Sequence, residues 1–387
     1  RFHQLLTEIH MEPIRVGIIG VGNVLNQYLD KIGVHPDVNV VALADVNPEA
    51  VKARAAEYSV PKALTPDELL ADEEVELVLN LTPPKLHAPV TLQAIAAGKH
   101  VLSEKPFATS LEEAQQILDA ARKSGVKVGS APTTFLGSGM QTSRKLIDDG
   151  WIGEPVAAFA SFACRGYEHW HPNVDPFYSP GAGPMLDIGP YLITNLVNFF
   201  GPVKRVSATT PRSSETRPRP GKDGEVIHIK TPTHVTGTLD FESGASATVM
   251  VSWDIWNHNL PHLEVYGTGG SLAAPNPDHF SGAPVLRRGE PGDLALDMTP
   301  PGGGDWRETL ITHRDDAYRG IGLAEFGYAI RKGLEPRTGG DFAYHVLEVL
   351  LAFEASSEQG RHIEIESTCE RPRPLPSVGP QEPYRFD

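Results

Sequence analysis

Cysteine is scarce in this chain, which has only Cys164 and Cys369 among its 387 residues. The two lie far apart with no ligand-like spacing, so the sequence offers neither a disulfide framework nor a cysteine zinc site, and it fits a reducing cytoplasm. Long apolar runs are missing as well: none approaches the ~20 residues that cross a bilayer, and the N-terminus has no apolar signal-peptide segment. We therefore expect a cytoplasmic protein with no membrane partner.

Positive charge is the third deficit. Lysine and arginine number 34 against 49 aspartates and glutamates, which gives a formal net charge of −15. Such a surface repels the phosphates of nucleic acid and of anionic lipid, so neither is expected as a partner. Hydrophobic residues, in contrast, make up 40% of the chain. At this length they suffice for a full core and for two domains.

The first informative feature that is present is a glycine turn between a strand and a helix. The apolar run Ile14–Ile19 leads into a Gly-Val-Gly turn and then into an amphipathic stretch over 25–32. In a dinucleotide site, Gly20 supplies the backbone angles of the turn, and Gly22 lets a pyrophosphate approach the main chain beside a helix N-terminus. Leu25 stands where the pattern has its third glycine, which we expect to affect helix packing more than phosphate binding. The predicted cofactor-binding residues of this turn are Gly20, Gly22, Asn23 and Val24.

A carboxylate follows the second apolar run. Val38–Ala44 ends at Asp45, a little over the ~20 residues beyond the turn at which a dinucleotide-binding acid stands. At that place it would accept hydrogen bonds from the adenosine ribose hydroxyls. No arginine follows closely that could hold a 2′-phosphate, so NAD is favoured over NADP. The alternative is that Asp45 caps the helix that starts at Pro48.

Strand and helix patterns alternate up to about residue 132. Alternation of this kind predicts a parallel, doubly wound sheet of the α/β Rossmann type. Beyond the first two strands, the sequence predicts strands over 75–81, His100–Ser103 and 126–130, and helices over Pro48–Tyr58, 66–70, 86–97 and Leu111–Ser124.

The pattern changes in the second part of the chain. Short apolar runs joined by a Phe-Glu-Ser-Gly turn predict a hairpin, and we expect an α+β domain with a large, mainly antiparallel open sheet. Two segments rich in proline, glycine and charge, 211–224 and 281–304, are predicted to be exposed loops. The remaining predictions are a helix over 140–149, strands over 155–164, 233–240 and 245–253, helices over 321–332 and 341–358, and a proline-rich tail from 368.

Lys105 is the first candidate for chemistry. It follows the predicted strand His100–Ser103 and so lies at the carboxyl edge of the sheet, where open α/β sheets bind ligands. Pro106 biases Lys105 toward an extended backbone, which would hold the ammonium in one direction. The alternative is an ordinary surface lysine before a proline-led turn.

A second segment supplies an acid and a phenol. Asp187 and Tyr191 lie four residues apart just before the apolar stretch 192–200, and they would share one face if this turn is helical. Opposite a lysine they would form an alcohol-oxidising site, because a nearby ammonium favours the phenolate and Tyr191 could then take a hydroxyl proton. In the alternative, Asp187 caps the helix and Tyr191 only packs.

Several segments together resemble the glucose-fructose oxidoreductase and inositol dehydrogenase family (Gfo/Idh/MocA). The similarity covers about 14–365 and implies an NAD-binding Rossmann domain, here 11–135, followed by a substrate-binding domain, here 136–387. In this family the open sheet of the second domain often joins the subunits, so a homo-oligomer, a dimer or tetramer, is expected, and residues 1–10 are expected to be a tag or leader. The segments that carry the resemblance are 17–22, the Thr82-Pro83-Pro84 turn with His87, 98–101 leading into Glu104-Lys105-Pro106, 134–137, the glycine-rich segment around Asp187, and 264–270.

The resemblance also implies roles for single residues. Lys105 becomes the catalytic lysine, which also contacts the cofactor, and Asp187 orients a substrate hydroxyl. Many members have a histidine where this chain has Tyr191, so its site is closer to those of aldose dehydrogenases and glucose-fructose oxidoreductase, in which a tyrosine resembles the acid–base group. The further cofactor contacts that it implies are Thr82, Pro83, His87 and Glu104.

The loop 165–171 precedes the Asp187 segment and could lie over the cleft. Trp170 offers an apolar face against which a sugar ring could stack, and His171 offers a polar tip. His169 and His171 flank one residue, but no third ligand is apparent in the sequence, so no metal is expected. We therefore expect Trp170 and His171 to bind substrate together with Lys105, Asp187 and Tyr191.

These features predict an NAD-dependent oxidoreductase that transfers hydride between a ring carbon of a sugar or polyol and nicotinamide. Because of Tyr191, the preferred reaction is oxidation of an aldose at carbon 1. Two alternatives stay open. One is a glycoside 3-dehydrogenase, or an NAD-dependent glycosidase of the same fold. The other is a non-catalytic regulator that senses a sugar or a dinucleotide.

Overall fold

The computed structural model describes residues 11–171, 173–288, 307–379 and 382–387, so the expected tag or leader lies outside the described residues. The first part of the chain forms a sheet whose strands are β1 (Ile14–Ile19), β2 (Val38–Ala44), β3 (Lys62–Leu64), β4 (Leu77–Asn80), β5 (His100–Ser103) and β6 (Val128–Ser130). Every neighbouring pair is parallel, in the order β3-β2-β1-β4-β5-β6. This is the order of the doubly wound dinucleotide-binding fold, and the prediction of that fold is confirmed.

Helices connect these strands. They are α1 (Val24–Leu29), α2 (Pro48–Tyr58), α3 (Pro66–Ala71), α4 (Pro84–Ala96) and α5 (Leu111–Ser124). The side chain of Asn47 accepts hydrogen bonds from the backbone N–H groups of Glu49 and Ala50, so Asn47 caps α2. The alternative in which Asp45 caps this helix is therefore wrong. Helix α1 is shorter than the predicted stretch 25–32 because the chain leaves it for a separate 3-10 turn.

The second part of the chain builds a larger sheet. Its strands and those of a small separate ribbon are β7 (Pro155–Ala163), β8 (Val203–Thr209), β9 (Thr216–Pro218), β10 (Val226–His228), β11 (His234–Phe241), β12 (Ser246–Ser252), β13 (Leu263–Gly267), β14 (Gly270–Ala274), β15 (Val285–Arg288), β16 (Arg307–Glu308) and β17 (Ile363–Glu364). Within the described ranges the large sheet has the order β16-β15-β14-β13-β7-β12-β11-β8-β17. Of these pairs β7 and β12 run parallel and the others antiparallel, so the predicted mainly antiparallel sheet is confirmed.

Both predicted loops contain strand structure. In 211–224, β9 pairs with β10 as a two-stranded ribbon, and Arg217 on β9 is only 5% exposed. Most of 211–224 is exposed as predicted, but the segment is not a loop throughout, because β9 lies within it and a buried ion pair described below holds Arg217 against the rest of the second domain. In 281–304, β15 joins the edge of the large sheet, and residues 289–304 lie outside the described part of the chain.

The helices of the second part are α6 (Ser138–Asp148), α7 (Pro184–Asp187), α8 (Gly189–Phe200), α9 (Gly320–Lys332) and α10 (Gly340–Gln359). Every residue of α8 is buried, and its apolar side chains join the strands of the large sheet and α10 in one hydrophobic core. A break at Ile188 separates α7 from α8, so the helix predicted through Asp187 and Tyr191 is interrupted between them.

The two sheets share helices. Leu323 and Phe326 of α9 pack with β1 and β4, while Ala343 and Leu347 of α10 pack with α5 and β6. Gly129 of β6 lies so close to the segment before α10 that an added Cβ would come within 2.3 Å of a backbone carbonyl oxygen. The division expected at residue 135 therefore separates the sheets, whereas part of the helical cover of the first sheet comes from the C-terminal third of the chain.

Among residues 11–171, 173–288, 307–379 and 382–387, no helix combines the length and the apolar composition that a bilayer crossing requires.

Candidate active site

The glycine turn joins β1 to α1, and its two glycines meet different surroundings. Gly20 has φ +100°, and an added Cβ would lie 2.8 Å from the carbonyl carbon and oxygen of Leu81. Gly22 faces open space, with nothing within 4 Å of an added Cβ. Gly20 is therefore required by the fold, while Gly22 leaves the main chain open to a ligand. Asn23 is exposed and Val24 half-buried where α1 begins.

Asp45 lies at the end of β2 and supports the same turn. One carboxylate oxygen accepts the backbone N–H of Val21 at 3.0 Å, and the other accepts the N–H of Asn47 at 3.0 Å. The carboxylate is half-buried and stands beside the open space over Gly22. This is the position from which an acid can accept hydrogen bonds from ribose hydroxyls. The turn and its acid thus fit an adenine dinucleotide.

The turn after β4 is fixed by an asparagine and a histidine. The side-chain oxygen of Asn80 accepts the N–H and the hydroxyl of Thr82. His87 places one ring nitrogen 2.7 Å from the carbonyl oxygen of Thr82 and the other 2.7 Å from that of Pro106. Burial lowers the pKa of this imidazole. His87 therefore joins the predicted cofactor turn to the Lys105 segment and has no ring nitrogen left for a ligand, whereas Pro83 is exposed at the tip of that turn.

Glu104 is buried, and protein groups occupy its carboxylate. One oxygen accepts the hydroxyl of Tyr28 at 2.9 Å and a guanidinium N–H of Arg319 at 2.7 Å. The other oxygen accepts the backbone N–H of Lys105 at 3.1 Å. Burial opposes ionisation, yet the cations Arg319 and Lys105 bring the pKa of Glu104 below its usual range. Glu104 therefore holds Tyr28, Arg319 and the backbone of Lys105 in place. The resemblance implies that it contacts the cofactor, but protein groups occupy both of its carboxylate oxygens.

Lys105 turns its ammonium toward the second domain. Nζ donates to the Oδ1 atom and to the backbone carbonyl of Asp187, both at 2.8 Å. It also lies 5.5 Å from the centre of the Tyr191 ring. Burial would lower the pKa of Lys105, but the charge of Asp187 raises it above its usual range. Lys105 is therefore a cation, suited to donate a hydrogen bond and not to act as a base.

Asp187 ends α7 and bridges two site residues. Its Oδ1 atom accepts from Lys105, and its Oδ2 atom accepts the hydroxyl of Tyr167 at 2.6 Å. Helix α8 has no side-chain cap, so the alternative in which Asp187 caps it is wrong. Burial and the Asp187 charge together raise the pKa of Tyr167. The acid, the ammonium and this phenol form one hydrogen-bonded chain at the carboxyl edge of the first sheet.

Tyr191 lies in the first turn of α8 and is 4% exposed. An N–H of Arg319 points at its hydroxyl oxygen across 3.2 Å. Burial raises the pKa of Tyr191, while Lys105 and Arg319 oppose that rise. The ammonium therefore acts on the phenol in the predicted direction, but burial outweighs it and the phenol is neutral at ordinary pH. The charge of a second acid, Asp278, also raises the pKa of this phenol.

The loop with Trp170 lies beside this chain of residues. The ring of Trp170 is 4.9 Å from that of Tyr167 and 66% exposed, so it stands at the mouth of the site. His171 packs edge-on against Trp170 and against Phe177, with ring centres 5.3 and 4.8 Å apart. Beneath the loop, Glu168 accepts from the buried Arg217 at 3.0 Å.

Sequence reasoning missed four members of this site: Tyr28, Tyr167, Arg319 and Asp278. Arg319 precedes α9 outside any recognisable motif, and it meets Glu104 and Tyr191 only after the chain has folded back on itself. Tyr28 lies on the helix after the glycine turn, and its hydroxyl reaches Glu104, which directly follows β5. Among the residues that the structure describes, no group of three or more histidine, cysteine, aspartate or glutamate side chains could hold a metal ion.

Comparison with known proteins agrees with this architecture. Residues 14–131 match the family model described as an oxidoreductase family with an NAD-binding Rossmann fold, and residues 140–273 match the GFO/IDH/MocA C-terminal domain. The chain belongs to the Gfo/Idh/MocA oxidoreductase family. The predicted family, its NAD cofactor and its class as an oxidoreductase enzyme are thereby confirmed.

The alignments with similar proteins cover from about half to most of this chain. The 1,5-anhydro-D-fructose reductase of Ensifer adhaerens is 28% identical over 364 residues, which are 91% of this chain and 99% of the relative. An oxidoreductase of Schizosaccharomyces pombe is 32% identical over 202 residues, and this alignment spans 51% of this chain and 54% of that protein. Among solved structures, levoglucosan dehydrogenase in complex with NADH and L-sorbose has a TM-score of 0.78 at 19% identity, over 92% of this chain and all of that one. At this identity the likeness shows the fold.

Proposed function

We propose that this protein is an NAD-dependent dehydrogenase of sugars or polyols that oxidises a ring CH–OH, with carbon 1 of an aldose as the preferred position. The observation that carries the proposal is the junction at which the Lys105 ammonium meets the Asp187 carboxylate 5.5 Å from the Tyr191 ring. The names of two relatives, 1,5-anhydro-D-fructose reductase and levoglucosan dehydrogenase, support a carbohydrate substrate.

Each of the three residues has a distinct part in the proposed reaction. Lys105 donates a hydrogen bond to the reacting hydroxyl oxygen and stabilises the negative charge that develops there. Asp187 orients that hydroxyl and holds the ammonium in place. Tyr191 is neutral at ordinary pH, so it must first lose its own proton to solvent; its phenolate then takes the hydroxyl proton while the C–H bond breaks and the carbon–oxygen bond becomes a carbonyl. When bound, NAD⁺ accepts the hydride that leaves this carbon.

The residues around Gly22 would hold the dinucleotide. The open main chain at Gly22 and the start of α1 would receive the pyrophosphate, and Asp45 would receive the adenosine ribose. The remaining contacts proposed at this face are Asn23, Val24, Thr82 and Pro83. The buried carboxylate of Glu104 and the imidazole of His87 support these contacts from within the protein.

A glycoside oxidised at carbon 3 is the second candidate, either as the net reaction or as a transient step that cleaves the glycosidic bond. The exposed ring of Trp170 favours it, because its stacking face extends beyond the buried residues and would suit a second sugar ring. His171 would then add a polar contact near the same ring.

Joining of subunits through the open face of the large sheet stays a prediction.

A substrate panel tests the proposed function. Aldoses, polyols and glycosides are incubated with the protein and with NAD or NADP, and formation of reduced cofactor is followed. We expect turnover with NAD and an aldose, and the product identifies the oxidised carbon. Turnover with glycosides alone would favour the second candidate. Ligand binding without turnover across the whole panel would contradict both and support the alternative of a sugar- or dinucleotide-sensing regulator.

A further inference from the structure

Arg319 stands immediately before α9 and reaches into the candidate site from the C-terminal third of the chain. One of its terminal nitrogens donates to Glu104 at 2.7 Å, and the other donates to the hydroxyl oxygen of Tyr191 at 3.2 Å. Its side chain is only 13% exposed. The planar guanidinium can satisfy both partners at once because its N–H groups have a fixed fork geometry. One arginine therefore ties the acid that precedes Lys105 to the phenol on α8.

The two cations of the site make different contacts. The ammonium of Lys105 is directed at Asp187, with two hydrogen bonds of 2.8 Å, and it approaches Tyr191 only across 5.5 Å to the ring centre. The guanidinium of Arg319 donates directly to the phenol oxygen. Both cations favour the deprotonated phenol, Lys105 by its charge and Arg319 by its charge and by a direct hydrogen bond to the oxygen.

Negative groups face the same phenol. Asp278 lies on the loop after β14, and its charge opposes the loss of the phenolic proton. Glu104 acts in the same sense from the end of β5. Lys105 and Arg319 thus favour ionisation of Tyr191, whereas Asp278 and Glu104 oppose it. The hydroxyl oxygen of Tyr191 accepts a hydrogen bond from the guanidinium.

We propose that Arg319 is the positioning residue of Tyr191: it holds the phenol oxygen by a direct hydrogen bond and favours the release of its proton. This inference rests on the proposed function, in which Tyr191 takes the proton of the substrate hydroxyl. Removal of the guanidinium leaves the phenol harder to ionise. Removal of the Asp278 charge makes it easier to ionise, so the two changes act in opposite directions.

The pH dependence of kcat tests the inference. Because the oxidation needs deprotonated Tyr191, the rate rises with pH until the phenol has ionised. We expect Arg319→Gln to move this rise to higher pH by about one unit or more, which is at least about tenfold in the ionisation equilibrium. Asp278→Asn is expected to move it to lower pH. Arg319→Lys keeps the charge but not the fork, so its profile is expected to lie between those of the wild type and Arg319→Gln.

Several controls keep the result interpretable. Arg314→Gln removes an arginine of the same segment that pairs with Asp316 instead of the site, and it should leave the profile unchanged. Tyr191→Phe should abolish the rise, and adding Arg319→Gln to it should cost nothing further. A second readout that needs no turnover is the alkaline absorbance titration of tyrosinate, taken as the difference between each protein and its Tyr191→Phe counterpart.

The outcomes separate the inference from the function on which it rests. A profile and a titration that do not move in Arg319→Gln, or that move in the same direction in Asp278→Asn, would overturn the role of Arg319. If the wild type reduces no NAD with any sugar, the proposed function fails, and the titration still reports on the Arg319 contact. If Arg319→Gln does not fold, as its melting curve would show, Arg319→Lys and Asp278→Asn still carry opposite expectations.

Discussion

The cofactor side and the substrate side of the candidate site are built on different principles. On the cofactor side, a glycine turn and an acid 24 residues away in sequence support each other through one hydrogen bond, from the N–H of Val21 to Asp45. On the substrate side, contacts span 82 residues between Lys105 and Asp187, 128 between Tyr191 and Arg319, and 215 between Arg319 and Glu104. The cofactor side is therefore set by local backbone geometry, whereas the substrate side forms only when distant parts of the chain pack together.

The two sides also differ in charge and burial. The main chain at Gly22 is open, as a surface that receives a large ligand must be. On the substrate side, Glu104 is buried, and Arg319, Lys105 and Asp187 are half-buried. Each of these charges has a partner of opposite sign. Charges buried in pairs with hydrogen bonds stay in place during a reaction, so this arrangement suits stabilisation of charge at a reacting oxygen.

The largest effect is expected at the centre of the substrate side. Lys105→Met removes the ammonium that faces Asp187, while Asp187 keeps its bond to Tyr167. We expect kcat to fall by roughly 10²–10⁴-fold, the usual size of a proton-transfer or charge-stabilising contribution. The dissociation constant of NAD should change little, because the glycine turn is untouched. Steady-state kinetics and calorimetric titration with NAD measure the two quantities.

Lys123→Met is the matched control, because Lys123 is exposed in the last turn of α5. Its kcat and NAD affinity should equal those of the wild type. If Lys105→Met retained near-normal turnover, the substrate side would not be the place where the chemistry occurs.

A pair of glycine variants sharpens the comparison within the cofactor side. Gly22→Val places a side chain in the open space where the pyrophosphate would lie, so NAD affinity should fall at least about tenfold, or about 1.4 kcal/mol, with the melting temperature unchanged. Gly20→Ala forces a Cβ against the Leu81 carbonyl at φ +100°, which costs about 1–3 kcal/mol of folding stability. Thermal melting and NAD titration of both variants separate the two roles. Equal melting temperatures for the two variants would contradict this division.

Sequence reasoning reached most of the cofactor side because local rules govern it. The apolar run Ile14–Ile19 and the two glycines need no partner elsewhere to be recognised, and Asp45 follows at a known distance. The prediction of an interacting Lys105, Asp187 and Tyr191 came from motif order, and the structure places these three together. Their order alone could not show that the helix breaks at Ile188 between the acid and the phenol.

The rest of the site lay beyond sequence reasoning because long-range packing decides it. Arg319 directly precedes an amphipathic helix, and no neighbouring residue in the sequence indicates that it binds Glu104 and Tyr191. The segment around Arg217 is predicted to be a loop because it is rich in proline and charge. Most of it is exposed, but the Arg217 side chain is buried in an ion pair with Glu168. In the same way, the composition of Glu104-Lys105-Pro106 could not show that Glu104 faces Tyr28 and Arg319.

A smaller effect is expected at the acid of the cofactor side. Asp45→Ala removes the acceptor proposed for the ribose hydroxyls and also a support of Val21. Loss of one hydrogen bond to a charged group corresponds to about 1.5–3 kcal/mol, so the dissociation constant of NAD should rise roughly tenfold to a hundredfold. The preference for NAD over NADP should narrow as well, since the carboxylate repels a 2′-phosphate. Asp67→Ala, at an exposed position in α3, is the control. An unchanged dissociation constant for NAD would refute the ribose role.

The smallest effect is expected where the substrate side opens to solvent. Trp170 is exposed and its side chain contacts the site through its ring beside Tyr167, so Trp170→Ala leaves the charged residues in place. An aromatic contact of this kind is worth about 0.5–1.5 kcal/mol, and KM for the sugar should rise roughly 2- to 10-fold with kcat nearly unchanged. Trp151→Ala removes another partly exposed tryptophan, which packs against Arg288, and should alter neither quantity. A contact that binds substrate and transition state equally alters KM alone. A fall in kcat without a change in KM would therefore show that Trp170 takes part in the reaction step and does not only bind the distal part of the substrate.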